Sequence, residues 1–241
     1  MSVKAIIPAR GGSKGIPRKN LVEICGRPLV VHSIDHALAA PEVDEVLVST
    51  DDREIAAVSR HGGATVIDRP AELSDDFASS ETALLHALDF LGARDGREPE
   101  LIVFLQATSP LRPPGAISDA IRLLQAQGAD SLFSAADLEG FVWRVRGTAP
   151  EPLNYDPRRR PRRQDCDRHV FENGSIYVFK PHVLRSWGSR LGGRIAVLMQ
   201  DPLYSFQVDE PDDIQVIKGL FQAVRSVEAA RPSATVPEPG D

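Results

Sequence analysis

Cysteine is scarce: the 241 residues include two, Cys25 and Cys166. Two thiols exclude a disulfide-stapled scaffold and a cysteine-rich zinc site, and a reduced cytoplasm is the expected setting. Long hydrophobic runs are missing as well. No stretch approaches the ~18 apolar residues of a membrane span, so no membrane partner is expected. The short apolar run at 1–9 comes before its charges, Arg10, Lys14, Arg18 and Lys19, the reverse of a secretory signal. Positive charge is in deficit, 28 basic residues against 34 acidic for a net charge of −6, which argues against nucleic acid as a partner. Catalytic signatures are lacking too. There is no H-E-x-x-H pair, no G-x-S-x-G elbow and no histidine signal paired with Cys25, so zinc chemistry and covalent catalysis are disfavoured.

What remains is an ordinary globular composition, 42% hydrophobic and 26% charged, in a chain long enough to bury a core without staples. Apolar runs predict strands at 3–9, 45–50, 64–67, 101–106, 131–135, 174–179 and 195–199. Helical spacing is predicted over 28–40, 51–60, 80–91 and 114–127, with a last helix from Asp212. Strands alternating with helices of about ten to fifteen residues imply an α/β fold with a largely parallel, helix-covered sheet, and 1–230 reads as a single domain. Two segments break the rhythm. Residues 137–167, rich in Pro, Arg and Gly, read as an inserted arm; 231–241, with Pro232, Pro237 and Pro239, read as a disordered tail.

The segment from Arg10 to Asn20 (RGGSKGIPRKN) follows the first strand, at the edge where open α/β sheets bind ligands. Its glycines let backbone N–H groups crowd around phosphate oxygens, and Arg10, Lys14 and Lys19 add cations. It is neither a Walker A loop nor G-x-G-x-x-G, which argues against a nicotinamide-dependent oxidoreductase. After the most apolar strand, Gln106, Thr108 and Ser109 suit hydrogen bonds to a polyhydroxylated substrate, although Ser109 before Pro110 equally suits a helix cap. Asp51 is read as an N-cap in preference to a nucleotide contact, and Asp75, Asp76 and Ser80 as helix openers. Asp209 is a hard oxygen ligand suited to Mg²⁺, whereas Asp212 and Asp213 sit as caps at the positive end of the last helix. Residues 158–168 carry six arginines and two aspartates, +4 in a chain that is −10 elsewhere. That cluster fits a small acidic ligand better than a polyanion, because it lacks the interleaved aromatics of a nucleic-acid-binding module.

In combination, the stretches IPARGGSKGIPRKN, VSTDD, RPAELSDDFASS, LQATSPLR, RPRRQD, ENGSIY and VDEPDD, running in this order from Ile7 to Asp213, resemble the acylneuraminate cytidylyltransferases. The resemblance implies a three-layer α/β/α, Rossmann-like fold of the nucleotide-diphospho-sugar-transferase type. It implies a homodimer in which the 137–167 arm of one subunit completes the other's sugar site. The implied reaction is attack of the anomeric hydroxyl of an acidic 2-keto sugar on the α-phosphorus of CTP, giving a CMP-sugar and pyrophosphate. N-acetylneuraminate is the expected sugar, with legionaminate, pseudaminate or Kdo, or GTP in place of CTP, as alternatives. By the same resemblance Arg10, Gly11, Gly12, Ser13, Lys14, Lys19, Asn20, Arg69 and Ser80 hold the nucleotide. Gln106, Thr108, Ser109, Arg162, Arg163 and Gln164 meet the sugar, and Arg10, Lys19 and Asp209 carry catalysis, Asp209 as the Mg²⁺ ligand. One departure matters: the family commonly has Asp-x-Asp before its last helix, and this chain has Gln207-Val208-Asp209. One carboxylate is replaced by an amide, which offers a carbonyl without charge.

Overall fold

The structure, a computed structural model, describes residues 1–13, 15–75 and 79–230. The readings made for Lys14, Asp76 and the 231–241 tail therefore lie outside the described residues. Strand β1 (Val3–Pro8) leads through the glycine loop to a two-residue-per-arm hairpin, β2 (Glu23–Ile24) and β3 (Arg27–Pro28). Then α1 (Leu29–Leu38), β4 (Glu45–Thr50), α2 (Arg53–His61), β5 (Thr65–Asp68), α3 (Ser80–Asp95), β6 (Leu101–Leu105), α4 (Ala116–Ala126) and β7 (Ser131–Asp137) alternate. A separate hairpin, β8 (Trp143–Arg146) and β9 (Ala149–Pro152), precedes β10 (Val170–Phe179), α5 (Pro181–Trp187), β11 (Ile195–Met199) and α6 (Asp213–Ala230).

Seven strands form one sheet in the order β11-β7-β10-β6-β1-β4-β5. All neighbours are parallel except β10, which runs antiparallel to both β6 and β7. The exception has a simple cause. The chain leaves β7 and returns through the arm without a crossover helix, so Val170 pairs with Asp137 and the strand must run back. Period-two alternation in β1 sends Val3, Ala5 and Ile7 to one face and Ile6 to the other. The first face is covered by α1, α2 and α4 through Val30, Ile34, Ile55, Ile117 and Ile121. The second is covered by α3 and α5 through Leu84, Leu88 and Leu184. This is the expected α/β/α sandwich. A smaller cluster joins Ile16 of the glycine loop to Ile24, Leu29, Val208 and Ile217, so α6 packs directly against that loop.

Local expectations are corrected at several ends. Asp52, not Asp51, caps α2, its carboxylate accepting from the amides of Glu54 and Ile55. Asp51 instead accepts from the Gly11 amide at 2.9 Å. Ser79 caps α3, and Ser80 is that helix's first residue. Helix α4 is entered through Gly115 at φ 76, so Ser109 caps nothing and 110–115 is loop. At α6 the first residue, Asp213, reaches back with its carboxylate to the amides of Asp209 and Glu210 ahead of the helix. The strand expected at 174–179 begins at Val170, with a register shift between Glu172 and Tyr177 where Gly174 adopts φ 72. Asp137 belongs to β7, and the expected irregular arm holds the β8–β9 hairpin.

Candidate active site

After β5 the chain crosses behind β1 and enters β6 on its other side, so the carboxyl ends of β1 and β6 diverge. A crevice at such a switch point is where open α/β sheets bind ligands. Here it is a cleft of about 450 Å³. One wall is the glycine loop with Arg10, Ser13, Gly15, Lys19 and Asn20; the other is Gln106 and Thr108 beyond β6. Ser80, Gln207, Asp209 and Glu210 also line it, over Pro8, Phe104 and Ala107.

The loop is shaped by close approaches. Gly15 lies so near the Asp209 carbonyl that no Cβ would fit, and a Cβ on Gly11 would sit 2.8 Å from Asp52 Oδ2. Arg18 closes the loop in a left-handed conformation, φ 54, with its guanidinium 3.0 Å from Asp52 and 2.9 Å from Glu54. Buried Asn20 donates from Nδ2 to the Arg10 carbonyl at 2.9 Å, and Arg10 Nη1 donates to the carbonyl of Asp75. Lys19 Nζ donates to Asp209 Oδ1 at 2.9 Å, so a cation already rests on that carboxylate. Two backbone amides keep the neighbouring Asp213 carboxyl below its usual range.

The opposite wall hangs on Arg112. This fully buried guanidinium donates to the carbonyls of Gln106 (2.9 Å) and Ser175 (3.0 Å) and to Ser33 Oγ (3.0 Å). Its partners are neutral, and burial holds its pKa well below the usual arginine value. It joins α1, the end of β6 and β10 beneath the cleft. Asn173 is a second hub, accepting from Ser134 Oγ at 2.6 Å and donating to Gln200 Oε1 at 2.9 Å. Neither residue had been assigned a role from sequence. For Asn173 the available sign was Gly174 at the start of the expected 174–179 strand, because glycine in a strand marks a bulge or a close approach.

Of the expected nucleotide residues, Arg10, Ser13, Lys19, Asn20 and Ser80 line the cleft together. Gly11 and Gly12 do not; the Gly11 amide turns back to Asp51. Arg69 is buried beside an adjoining hollow with Thr50, Asp51 and Arg53, its Nη2 4.0 Å from Asp51. Its Nε and Nη2 make no hydrogen bond among the described residues. Of the expected sugar residues, Gln106 and Thr108 line the cleft. Ser109 does not: it is 1% exposed, facing the core.

Arg162 and Gln164 are likewise absent from this cleft within one chain, and the β8–β9 hairpin ahead of them forms a two-stranded sheet of its own. Gln164 lines a different hollow, beside Leu138, Phe141 and Arg168, and Arg163 opens a 3-10 turn ending at Asp165. Half of the arginine cluster is paired locally. Arg158 pairs with Asp156, Arg162 with Asp165 and Arg168 with Asp137, while Arg160 stacks over Phe141.

Two carboxylates, Asp209 and Glu210, line the cleft and suit a hard cation. Lys19 on Asp209 marks a position where positive charge is stabilised. The Gln207 amide is engaged at both ends, by Thr108 Oγ1 at 3.2 Å and the Asn173 carbonyl at 3.0 Å. Mg²⁺ keeps waters and takes few protein ligands, so the set fits it.

The cytidylyltransferase family profile matches residues 4–223. The chain is 38% identical over 211 residues to N-acylneuraminate cytidylyltransferase A of Danio rerio, covering 86% of this chain and 48% of that protein. The chain thus spans about half the length of that relative. It is 32% identical over 193 residues to the pseudaminic acid cytidylyltransferase of Campylobacter jejuni, covering 73% of this chain and 83% of that one. Among solved structures it resembles a CMP:2-keto-3-deoxy-manno-octonic acid synthetase complexed with CTP, with a TM-score of 0.68 at 21% identity over 93% of this chain and 100% of the other. A 4-diphosphocytidyl-2C-methyl-D-erythritol synthase gives 0.66 at 14% identity over 91% and 99%, and both likenesses concern the fold. With a match that runs from the first strand into the last helix, the chain belongs to the cytidylyltransferase family.

Proposed function

We propose that this protein transfers the cytidylyl group of CTP to the anomeric hydroxyl of an acidic 2-keto sugar, N-acetylneuraminate or a close relative. The observation that carries this reading is the Lys19–Asp209 pair, a cation and a carboxylate 2.9 Å apart facing two sugar-type hydrogen-bonding side chains, Gln106 and Thr108, across one cleft. The triphosphate lies along the glycine loop, where Arg10 and Lys19 offset its charge. The new bond joins the anomeric oxygen to the α-phosphorus, the bond to the β-phosphate oxygen breaks, pyrophosphate leaves and the hydroxyl proton is released. Positioning and charge neutralisation carry such a transfer, so no covalent residue is needed. Asp209 would hold Mg²⁺, which when bound supplies further neutralisation of phosphate charge. On this reading Lys19 leaves Asp209 for the phosphates as nucleotide arrives.

Arg69 fits the base. Its buried Nε and Nη2 have no hydrogen bond among the described residues and call for acceptors, and cytosine offers O2 and N3 on one edge. The arm supports a homodimer: Trp143, Val145 and Leu153 are exposed on or beside the β8–β9 hairpin, and Arg162 stands free of its own cleft to meet a sugar carboxylate in a partner's. The setting we assign is the cytoplasm, in keeping with unpaired Cys25 and Cys166; among the described residues no helix is long and apolar enough to cross a membrane.

The test is pyrophosphate release with Mg²⁺ and each of the four NTPs against N-acetylneuraminate, legionaminate, pseudaminate and Kdo. CTP with one nine-carbon acidic sugar should give the fastest release. No CTP-dependent release with any of the four would refute the assignment.

A further inference from the structure

Gln207 lines the cleft but has no part in the triphosphate or carboxylate chemistry just described. Its amide has a built polarity. Oε1 accepts the Thr108 hydroxyl proton, and Nε2 donates to the Asn173 carbonyl. The Asn173 carbonyl can only accept, so turning the amide over would set oxygen against oxygen there; the Asn173 bond therefore fixes Oε1 toward Thr108. Gly174 beneath it has no room for a Cβ, which would lie 2.5 Å from Gln207 Nε2 and 2.9 Å from Gln106 Oε1. The surroundings are equally fixed. Asn173 is tied to Ser134 and Gln200, and the Val208 amide donates to the Thr108 carbonyl at 2.8 Å. A threonine hydroxyl has one proton, and here Gln207 takes it, so Thr108 Oγ1 presents only lone pairs to the cleft.

We propose that Gln207 is a positioning residue for the acceptor sugar: it holds Thr108 Oγ1 as a pure acceptor for a sugar hydroxyl or acylamido N–H, and it takes no part in cation binding. The proposal rests on the cytidylyl-transfer reading and names how that site reads its sugar. A carboxylate at 207 would keep the bond from Thr108 but place a charged oxygen against the Asn173 carbonyl, distorting the bridge.

Gln207→Glu, nearly isosteric, is the first variant. With CTP and whichever sugar the wild type turns over, the sugar KM should rise about tenfold or more while the CTP KM stays within about twofold. Mn²⁺ binding to the free protein, followed by electron paramagnetic resonance, should be unchanged. Thr108→Val should reproduce the rise in sugar KM, and Thr108→Ser should recover most of it. The two lesions combined should be no worse than the more severe alone, because they break one bridge. Tighter Mn²⁺ binding by Gln207→Glu would put position 207 on the cation and overturn the proposal, as would equal rises in both KM values. Should Gln207→Glu not fold, the Thr108 pair decides: an unaltered sugar KM in Thr108→Val overturns it. Wild-type protein that releases no pyrophosphate from CTP with any of the four sugars would overturn the proposal and the transfer reading together, whereas an active wild type with unaltered variants would overturn this proposal alone.

Discussion

Replacing Lys19 by methionine should move turnover and cation binding in opposite directions. The side chain is 15% exposed, and it contacts an Asp209 side chain that is 59% exposed. In the free protein the pair is a half-exposed salt bridge, worth about 0.2–1 kcal/mol. Removing the ammonium therefore uncovers Asp209, and Mn²⁺ binding to the nucleotide-free protein should tighten by at most about fivefold. During transfer the same ammonium faces phosphate charge. A unit charge about 4 Å from another at an effective dielectric of ~20 contributes about 4 kcal/mol before solvation losses, and roughly half surviving corresponds to a rate drop of about 30-fold. The assays are titration of Mn²⁺ by paramagnetic resonance and continuous pyrophosphate release at saturating CTP, with circular dichroism to establish folding. Turnover within about threefold of wild type on a folded variant would refute the placement of the triphosphate along this loop. Weaker Mn²⁺ binding would refute the idea that Lys19 occupies the cation's place on Asp209.

Gly15→Ala should raise the CTP KM at least about tenfold with little loss of thermal stability, because its Cβ would meet the Asp209 carbonyl and lift the loop; steady-state kinetics and a melting curve separate the two effects. Asp213→Ala should cost about 1–2 kcal/mol in urea unfolding at pH 7, since two backbone amides lose their acceptor, whereas Asp212→Ala should cost under about 0.5 kcal/mol. Burial, then the charge of Arg112, holds the His36 pKa down to about 3, against 6.5 when exposed. The unfolded chain takes up that proton below pH 6.5 and the folded chain does not, so the His36 contribution is complete above 6.5 and falls toward pH 3 by at most about 1.4 kcal/mol per pH unit. His36→Gln should flatten the dependence of urea stability on pH between 6.5 and 5. If the arm completes a partner's site, inactive Lys19→Ala and Arg162→Ala proteins should regain activity when mixed and allowed to exchange subunits; sedimentation showing an active monomer would contradict it.

The sequence by itself determined the parts governed by local rules. Apolar runs and helical spacing located the seven strands of the central sheet and every helix but α5, because such patterns are properties of the chain alone, while the short hairpins β2–β3 and β8–β9 carried no such signal. The loop from Arg10 to Asn20 was legible for a similar reason: glycines and cations directly after a buried strand can be read without knowing what lies opposite. Tertiary structure decided what depends on contacts far apart in sequence. Asp51 and Asp52 are adjacent and equally able to cap α2; the choice follows from the Gly11 amide, 40 residues earlier, arriving beside Asp51. Ser109 is chemically suited to a sugar, yet the turn after β6 buries it while Gln106 and Thr108 face the cleft. The amide at 207 looked from sequence like a weakened metal ligand. Its two partners, Thr108 and Asn173, lie 99 and 34 residues away and come together only because β6 and β10 are neighbours in the sheet. A side chain's chemistry is written in the sequence, but which of its atoms are already bonded depends on strand order, and that leaves Asp209 paired with Lys19 and Gln207 as a bridge.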